Sequence, residues 1–489
     1  MTLLTVLKAN RLNLIVFLGG AVGMIIEMVA SRVVSPYLGN SLIVWTSLIG
    51  VILGCLSVGY YFGGKMADRF PSFESLSSIV LWGAFSLSMT AFFKEPILQF
   101  IQFIFGSELR AASFISVMIL FGPASIILGM IAPYAAKLQL SNVLATGKTM
   151  GNLYALSTSG SIFGTFLAGF FLIPLFGNSD LLYALSLSLV LISVLAHFQW
   201  SVIHKFVICL LVLMYSLNRI GGVFRINTLA DLDSLYNRII VRKAVDEQSR
   251  KLVVMSIDNS GIQSAIQPAL PNELYFGYTR AYRLADVINS EVNKALVIGG
   301  GGYSYPRDYL LTHPIGSIHV VEIDPEITML AREFFFLVDD PRLQIFHQDA
   351  RLFLQRSNEQ YDVIFLDAFN SLTPPPHLTT QEFLSDLNQH LVDNGFLMIN
   401  LISAISGDKS RFMNAERATL LSVFPYVEVY AIDNRFEEDV QNLLVVAYKS
   451  KPEIILPLGR QIMEFADQNR VLTDDWSPVE HLTRHLYEK

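Results

Sequence analysis

Four consecutive glycines, Gly299 to Gly302, follow the strand-like run Ala295-Leu-Val-Ile298. A second strand-like run, Ile318 to Asp324, ends in two acids, Glu322 and Asp324. Glycines after a first strand let the backbone approach a ligand, and an acid at the end of the second suits ribose hydroxyls. The stretch from Val297 to Asp324 therefore reads as a nucleotide-type pocket. Its pattern, Gly299-x-Gly301-x-x-Ser304, departs from the dinucleotide fingerprint at the third glycine. Taken alone it also fits a plain strand-to-helix turn. Two later acids strengthen the pocket reading: Asp349, followed by Ala350, comes after a third strand-like run, and Asp367 after a fourth. Nicotinamide enzymes call for the first acid but not for these two.

Such residues meet only if a sheet brings them together. Strand-like runs at 295–298, 318–323, 343–347, 363–366 and 396–400 alternate with helical stretches. That spacing predicts parallel βαβ units and an α/β, doubly wound sheet. Ligands sit at the carboxyl ends of such strands, so Asp324, Asp349 and Asp367 are expected to line one crevice. Ahead of the sheet lie two β-like runs, Arg238–Val241 and Lys251–Ile257, a turn at Asn259-Ser-Gly261, and a helix over about 273–288. Near the C-terminus, Val427–Ile432 and Leu443–Tyr448 read as an antiparallel edge.

The chain of 489 residues is 52% hydrophobic and only 16% charged, against about 25% charged in soluble domains. The apolar excess lies in the first 217 residues: Leu14–Val34, Leu42–Gly63, Leu76–Phe93, Phe114–Ala136, Leu153–Phe176, Leu181–Phe198 and Val202–Leu217. A membrane span needs roughly 20 apolar residues. Ile97–Phe105, beyond Lys94-Glu95-Pro96, reads as a further re-entrant or interfacial piece. The expected organisation is an α-helical multi-pass transmembrane domain over 1–220 with seven or eight helices, a β region with a linking helix over 221–292, and the doubly wound domain with its tail over 293–489. Leu14–Val34 is too long for the apolar core of a cleaved signal peptide. Lys8, Arg11, Lys65 and Arg69 favour an inside N-terminus, whereas seven alternating spans would leave the second half outside. A nucleotide-type ligand argues for the cytoplasmic side.

Glu27 lies at membrane depth, where a carboxylate is expensive and faces a cavity or a partner. Gly19/Gly23, Gly59/Gly63 and Gly160/Gly164 allow close helix packing and make a homodimer open to the chain. Cys55 and Cys209 both lie in apolar segments, so neither a metal cluster nor a disulfide framework is expected. A net charge of −7 argues against nucleic acid as a partner.

From about Ser234 to Asn400 the sequence resembles the spermidine synthase (polyamine aminopropyltransferase) family, in the version fused to a membrane domain. The resemblance rests on Ser-x-Tyr-Asn at 234–237, Val-Ile-Gly-Gly-Gly at 297–301, Val-Glu-Ile-Asp at 321–324, Asp340-Pro-Arg342, Asp349-Ala350, Tyr-Asp-Val-Ile-Phe-Leu-Asp at 361–367 and Pro374. The closing Leu472-Thr-Asp-Asp-Trp-x-Pro-Val-Glu480 resembles the tail of membrane-fused members. It implies a class I S-adenosylmethionine-type, Rossmann-like fold and decarboxylated S-adenosylmethionine as co-substrate, with methylthioadenosine as product and no metal. By the resemblance, Glu322 would hold the ribose, Asp349 and Ala350 the adenine, and Pro374 would pack near the methylthioadenosine part. Asn237, Gly299, Gly301 and Gly302 would complete the nucleoside side. Asp367 would accept the proton of the attacking amine, with Asn370, Tyr275 and Phe276 lining the acceptor side.

The departures fall on the amine side. Where the family has Gly-Gly-Gly-Asp this chain has Gly302, and where it has Asp-x-x-Asp the chain has Asp367-Ala-Phe-Asn370. The Tyr-His-Glu element reads Tyr275-Phe276-Gly277, and Asn237 replaces a glutamine. Asp258, Asp474, Asp475 and Glu480 are candidates to replace the lost acids. The expected reaction is aminopropyl transfer to an amine such as putrescine, at the inner cell membrane with the catalytic domain facing the cytoplasm. Two other readings stay open: a methyltransferase using intact S-adenosylmethionine on a membrane-associated substrate, and a polyamine transporter or sensor with a non-catalytic nucleoside domain.

Overall fold

The computed structural model describes residues 3–105, 108–139, 146–197, 202–223, 227–258, 261–369, 374–433, 435–450, 456, 460–462 and 470–487. The chain divides into two compact units, Met1–Ile226 and Asn227–Lys489.

The first unit is helical. Six helices among the described residues are long and apolar enough to cross a membrane: Asn10–Leu38, Leu42–Arg69, Phe73–Phe105, Leu109–Gln139, Gly147–Leu175 and Asn178–Ala196. The seventh expected stretch lies in the helix Val202–Val223, whose apolar part, Val207–Leu217, is shorter. Ile97–Phe105 is not a separate piece. It continues the helix Phe73–Phe105 through Pro96. Neighbouring helices can re-satisfy the backbone that a proline frees. Glycines set the closest packing. A Cβ on Gly59 would lie 2.1 Å from the Ile126 carbonyl oxygen, and one on Gly160 would lie 2.0 Å from that of Phe17. A Cβ on Gly23 would meet nothing within 4 Å among the described residues, and Gly20 makes the close approach on that helix, toward Ser157. Glu27 is half-buried.

Among the described residues, the second unit holds two sheets. The smaller is an antiparallel meander of β1 (Thr228–Asp233), β2 (Arg238–Val245), β3 (Lys251–Ile257) and β4 (Ile262–Ile266). The larger contains β5 (Lys294–Ile298), β6 (Ser317–Val321), β7 (Leu343–Phe346), β8 (Tyr361–Leu366), β9 (Leu391–Ser403), β10 (Tyr426–Ala431), β11 (Gln441–Tyr448) and β12 (Arg460–Ile462). Their order is β12-β10-β11-β9-β8-β5-β6-β7. Strands β5 to β9 pair in parallel, and β9–β11, β11–β10 and β10–β12 in antiparallel fashion. This is a class I Rossmann-like sheet with an antiparallel edge.

The parallel strands are apolar on both faces because helices cover both. Leu296, Ile298, Ile364 and Leu366 enter one core, while Ala295, Val297, Val363 and Phe365 enter the other. The chain leaves β5 for β6 and β7, then crosses back to β8 on the opposite flank. The order therefore reverses between β5 and β8, and a crevice opens at their carboxyl ends. The helix expected over 273–288 starts at Gly277 and comes in three short pieces: Gly277–Ala281, Tyr282–Leu284 and Ala285–Ile288. Phe276 just before it is extended (φ −80°, ψ 147°). Aromatic residues and glycine are weak helix formers, which delays the start.

Candidate active site

The glycine turn is built by the contact of β5 with β8. Gly299 has φ +97°, and a Cβ there would lie 2.5 Å from the Asp367 carbonyl oxygen. The Asp367 amide donates to the Ile298 carbonyl (2.9 Å). The first glycine and the fourth-strand acid are thus backbone neighbours, and only glycine fits between them. One residue on, the Gly300 amide donates to Glu322 Oε2 (2.8 Å), and Glu322 Oε1 accepts from the Asp324 amide (2.9 Å). Glu322 is 5% exposed. Burial raises its pKa, and bonds from the amides of Asp324, Gly300 and Gly301 pull it back. Glu322 therefore ties the end of β6 to the glycine loop, where a ribose would lie.

Gly302 is closed to side chains. Its amide donates to Ser264 Oγ (2.8 Å), and a Cβ would sit 2.9 Å from both Phe335 Cδ1 and Ser264 Cβ. The acid missing from this position could not be restored on this backbone. We expect Gly302→Asp to lower stability by about 1–3 kcal/mol through overpacking. Denaturant unfolding measures this, and an unchanged midpoint would contradict the packing.

Asp349 caps the helix Ala350–Arg356 by accepting from the Leu352 amide (3.1 Å). Its other oxygen meets His377 Nε2 at 2.9 Å. Ala350 and Pro374 are both buried. Asp324 caps the next helix upstream, Pro325–Phe334, and receives the Ser234 hydroxyl. Ser234 Oγ also takes the amides of Tyr236 (3.0 Å) and Asn237 (2.9 Å). This hydroxyl holds the Ser-Leu-Tyr-Asn turn against the main sheet. Tyr236 lies among Asp324, Asp349 and Glu322, and burial followed by these charges raises its pKa. The Asn237 carboxamide, with its nitrogen and oxygen in the orientation that satisfies both, bonds Asp258 Oδ2 (3.2 Å).

Asp367 is the most perturbed acid of the crevice. Burial pushes its pKa up to about 7, while bonds from Asn400 and Tyr278 oppose the rise. Asn400 Nδ2 donates to Asp367 Oδ1 (2.9 Å), and Asn442 Nδ2 donates to Asn400 Oδ1 (2.8 Å). The Tyr278 hydroxyl donates to the same carboxylate. Behind it stand Tyr282, Tyr305 and Phe365, with ring centroids 4.5–5.3 Å apart. These rings exclude water, which accounts for the raised pKa. A carboxylate that titrates near neutrality can take a proton from an amine and give it up again.

The expected acceptor-side residues part company. Tyr275 points its hydroxyl at Asp246 (3.3 Å), and the Arg250 guanidinium stacks over its ring. Phe276 stacks on Tyr278, at 5.8 Å. Asn370 lies outside the described residues. Asp474 is bound by both Arg351 nitrogens (2.8 and 2.5 Å) and by Thr380 (2.8 Å), a structural role. Sequence reasoning missed Tyr278, Asn400, Asn442 and His377. Only Asn400 carried a signal, a polar residue closing an apolar strand beside the one that precedes Asp367.

Comparison with known proteins gives a consistent picture. Residues 282–433 match the spermine/spermidine synthase domain model. A polyamine aminopropyltransferase of Vibrio vulnificus (strain CMCP6) is 32% identical over 195 residues, which cover 39% of this chain and 63% of the relative. A probable polyamine aminopropyl transferase of Bifidobacterium longum (strain NCC 2705) is 32% identical over 290 residues, 53% of this chain and 62% of the relative. The chain thus spans less than two thirds of each of these relatives. The crystal structure of a probable spermidine synthase from Corynebacterium glutamicum ATCC 13032 aligns with a TM-score of 0.40 and 24% identity, over 45% of this chain and 80% of that one. The matched stretch runs from the Tyr282 turn through the glycine loop, Glu322, Asp349 and Asp367 to the end of β10, and over these residues the chain is similar to the spermine/spermidine synthase domain.

Proposed function

We propose that the second unit transfers an aminopropyl group from decarboxylated S-adenosylmethionine to an amine such as putrescine and releases methylthioadenosine. The observation that carries this reading is Asp367: a buried carboxylate with a pKa of about 7, at the carboxyl end of β8, beside the glycine turn. In the proposed step an ammonium gives its proton to Asp367. The freed nitrogen lone pair attacks the carbon bonded to sulfonium, the carbon–sulfur bond breaks, and its electron pair stays on sulfur as a neutral thioether. Glu322 and Asp349 would hold the nucleoside, with Asn237, Ala350 and Pro374 around it, and Phe276 and Asn370 would flank the acceptor. The six long apolar helices would anchor the enzyme in the inner cell membrane, with this unit on the cytoplasmic side where the nucleoside is found.

The reading has a pH signature. Asp367 must be ionised to take the proton, so the rate should rise with pH and level off above about 7. The test is methylthioadenosine release by purified full-length protein with putrescine and decarboxylated donor, measured between about pH 5.5 and 8.5. A rate that falls through neutrality, or no release at all, would count against the proposal. The closed position at Gly302 favours one competing reading, methyl transfer from intact S-adenosylmethionine, because no acid there can grip an aminopropyl ammonium.

A further inference from the structure

Asp367 does not face its partners by chance. Three neighbouring strands, β8, β9 and β11, bring polar side chains together at one end of the sheet: Asp367 just past β8, Asn400 on β9 opposite Leu444, and Asn442 on β11 two residues along from that partner. Asn400 is 4% exposed. Its two amide ends are chemically opposite: the nitrogen donates, the oxygen only accepts. The nitrogen faces Asp367 Oδ1 at 2.9 Å, and the oxygen accepts from Asn442 Nδ2 at 2.8 Å. An amide flipped by half a turn would present its oxygen to Asp367, and two acceptors can meet only if the acid is protonated. A donor that occupies the Asn400 oxygen disfavours the flip, since the Asn442 amide would have to turn over with it.

We propose that Asn442 is a positioning residue that acts through Asn400: by fixing the amide orientation, it holds Asp367 in the proton-accepting form. Asn442 touches no reacting atom in this account. The role rests on the assignment of Asp367 as proton acceptor. The titratable groups that face Asp367 are the Tyr278 and Tyr282 hydroxyls, both kept protonated by burial. No charged side chain acts on it among the described residues. After burial, the Asn400 amide is therefore the largest influence on its protonation, with Tyr278 as the second donor.

The relay makes a graded expectation. Asn400→Leu removes the donor outright and should raise the Asp367 midpoint by about one pH unit or more, roughly tenfold in proton affinity. Asn442→Ala leaves Asn400 in place but frees its orientation, so it should raise the midpoint by about half as much. Asn442→Ser keeps a hydroxyl donor and should fall back toward wild type. Asn442 is only half-buried, so the small alanine and serine variants should fold.

The midpoint can be read without turnover. Infrared titration of the full-length protein follows the carbonyl stretch of a protonated carboxylic acid, and the band absent from Asp367→Asn belongs to Asp367. The acidic limb of the pH–rate profile is the second readout and should move with the infrared midpoint. If Asn442→Ala shifts neither, or if Asn442→Ser shifts them as far as alanine does, the relay is wrong. If the infrared midpoint moves as stated but no variant or wild type releases methylthioadenosine, the relay stands and the proposed reaction fails.

Discussion

Asp367→Asn is expected to cut turnover by on the order of 10²–10⁴-fold and at the same time to stabilise the protein above neutral pH. The two effects share one cause. Folding raises the Asp367 pKa from 3.8 to about 7. Between those values the folded state holds a proton that the unfolded state has lost. Stability therefore declines as pH rises through this window, and the full cost is felt above about 7. Three units at about 1.4 kcal/mol each set an upper bound near 4 kcal/mol, so a neutral amide should recover on the order of 2–4 kcal/mol at about pH 8. At about pH 4 wild type and variant should be nearly equal. Denaturant midpoints for both proteins at the two pH values measure the difference. An equal gap at both would show that Asp367 is not strained by its burial.

Gly299→Ala is the second large effect. The position combines φ +97° with a methyl direction that ends 2.5 Å from the Asp367 carbonyl oxygen and 2.8 Å from its carbonyl carbon. Backbone strain alone costs about 1–3 kcal/mol. The clash is with backbone, which has no rotamer to change, so β5 and β8 must part. We expect a loss of more than about 3 kcal/mol and, in any folded protein that remains, a displaced Asp367 with little turnover. Gly23→Ala is the control. Among the described residues nothing beyond its own helix lies within 4 Å of a Cβ placed there, so alanine should be neutral or stabilising by about 0.5–1 kcal/mol. A Gly299→Ala protein as stable as wild type would mean that β5 and β8 are not held at this spacing.

The parallel sheet was legible because its strands are apolar on both faces and end in glycines and acids, and these features persist in the sequence whatever the register. β5 through β8 stand where the alternation of runs put them, and β9, at Leu391–Ser403, extends beyond both ends of the expected 396–400. The glycine turn was legible for the same reason, since a backbone contact at Gly299 tolerates no other residue. Two strands of the smaller sheet, β1 and β4, were not: Thr-Leu-Ala-Asp-Leu-Asp and Ile-Gln-Ser-Ala-Ile are too short and mixed to stand out. The late helix start at Gly277 follows weak local propensity, whereas the unbroken helix through Pro96 reflects packing that overrides local preference.

In the crevice, the acids were visible and their supports were not. Asn400 and Asn442 lie 42 residues apart, and their meeting depends on the register of β9 against β11, where Asn400 pairs with Leu444. No spacing rule carries that. Tyr278 was hidden by its neighbours, since Tyr275 was the expected site tyrosine and turns instead to Asp246. His377 follows three prolines, in a segment whose contact with Asp349 comes only from folding. Gly302 looked like the simple loss of an acid. The structure makes it a filled position, occupied by Ser264 and Phe335.

In the proposed reaction the sulfonium nucleoside in this crevice gives up an aminopropyl group. The most direct measurement offers purified full-length protein an equal mixture of decarboxylated and intact S-adenosylmethionine with an excess of putrescine, and quantifies both nucleoside products by mass spectrometry. Methylthioadenosine matched mole for mole by aminopropylated amine is expected, both lost in Asp367→Asn. S-adenosylhomocysteine as the sole nucleoside product, with a methylated acceptor, would contradict it.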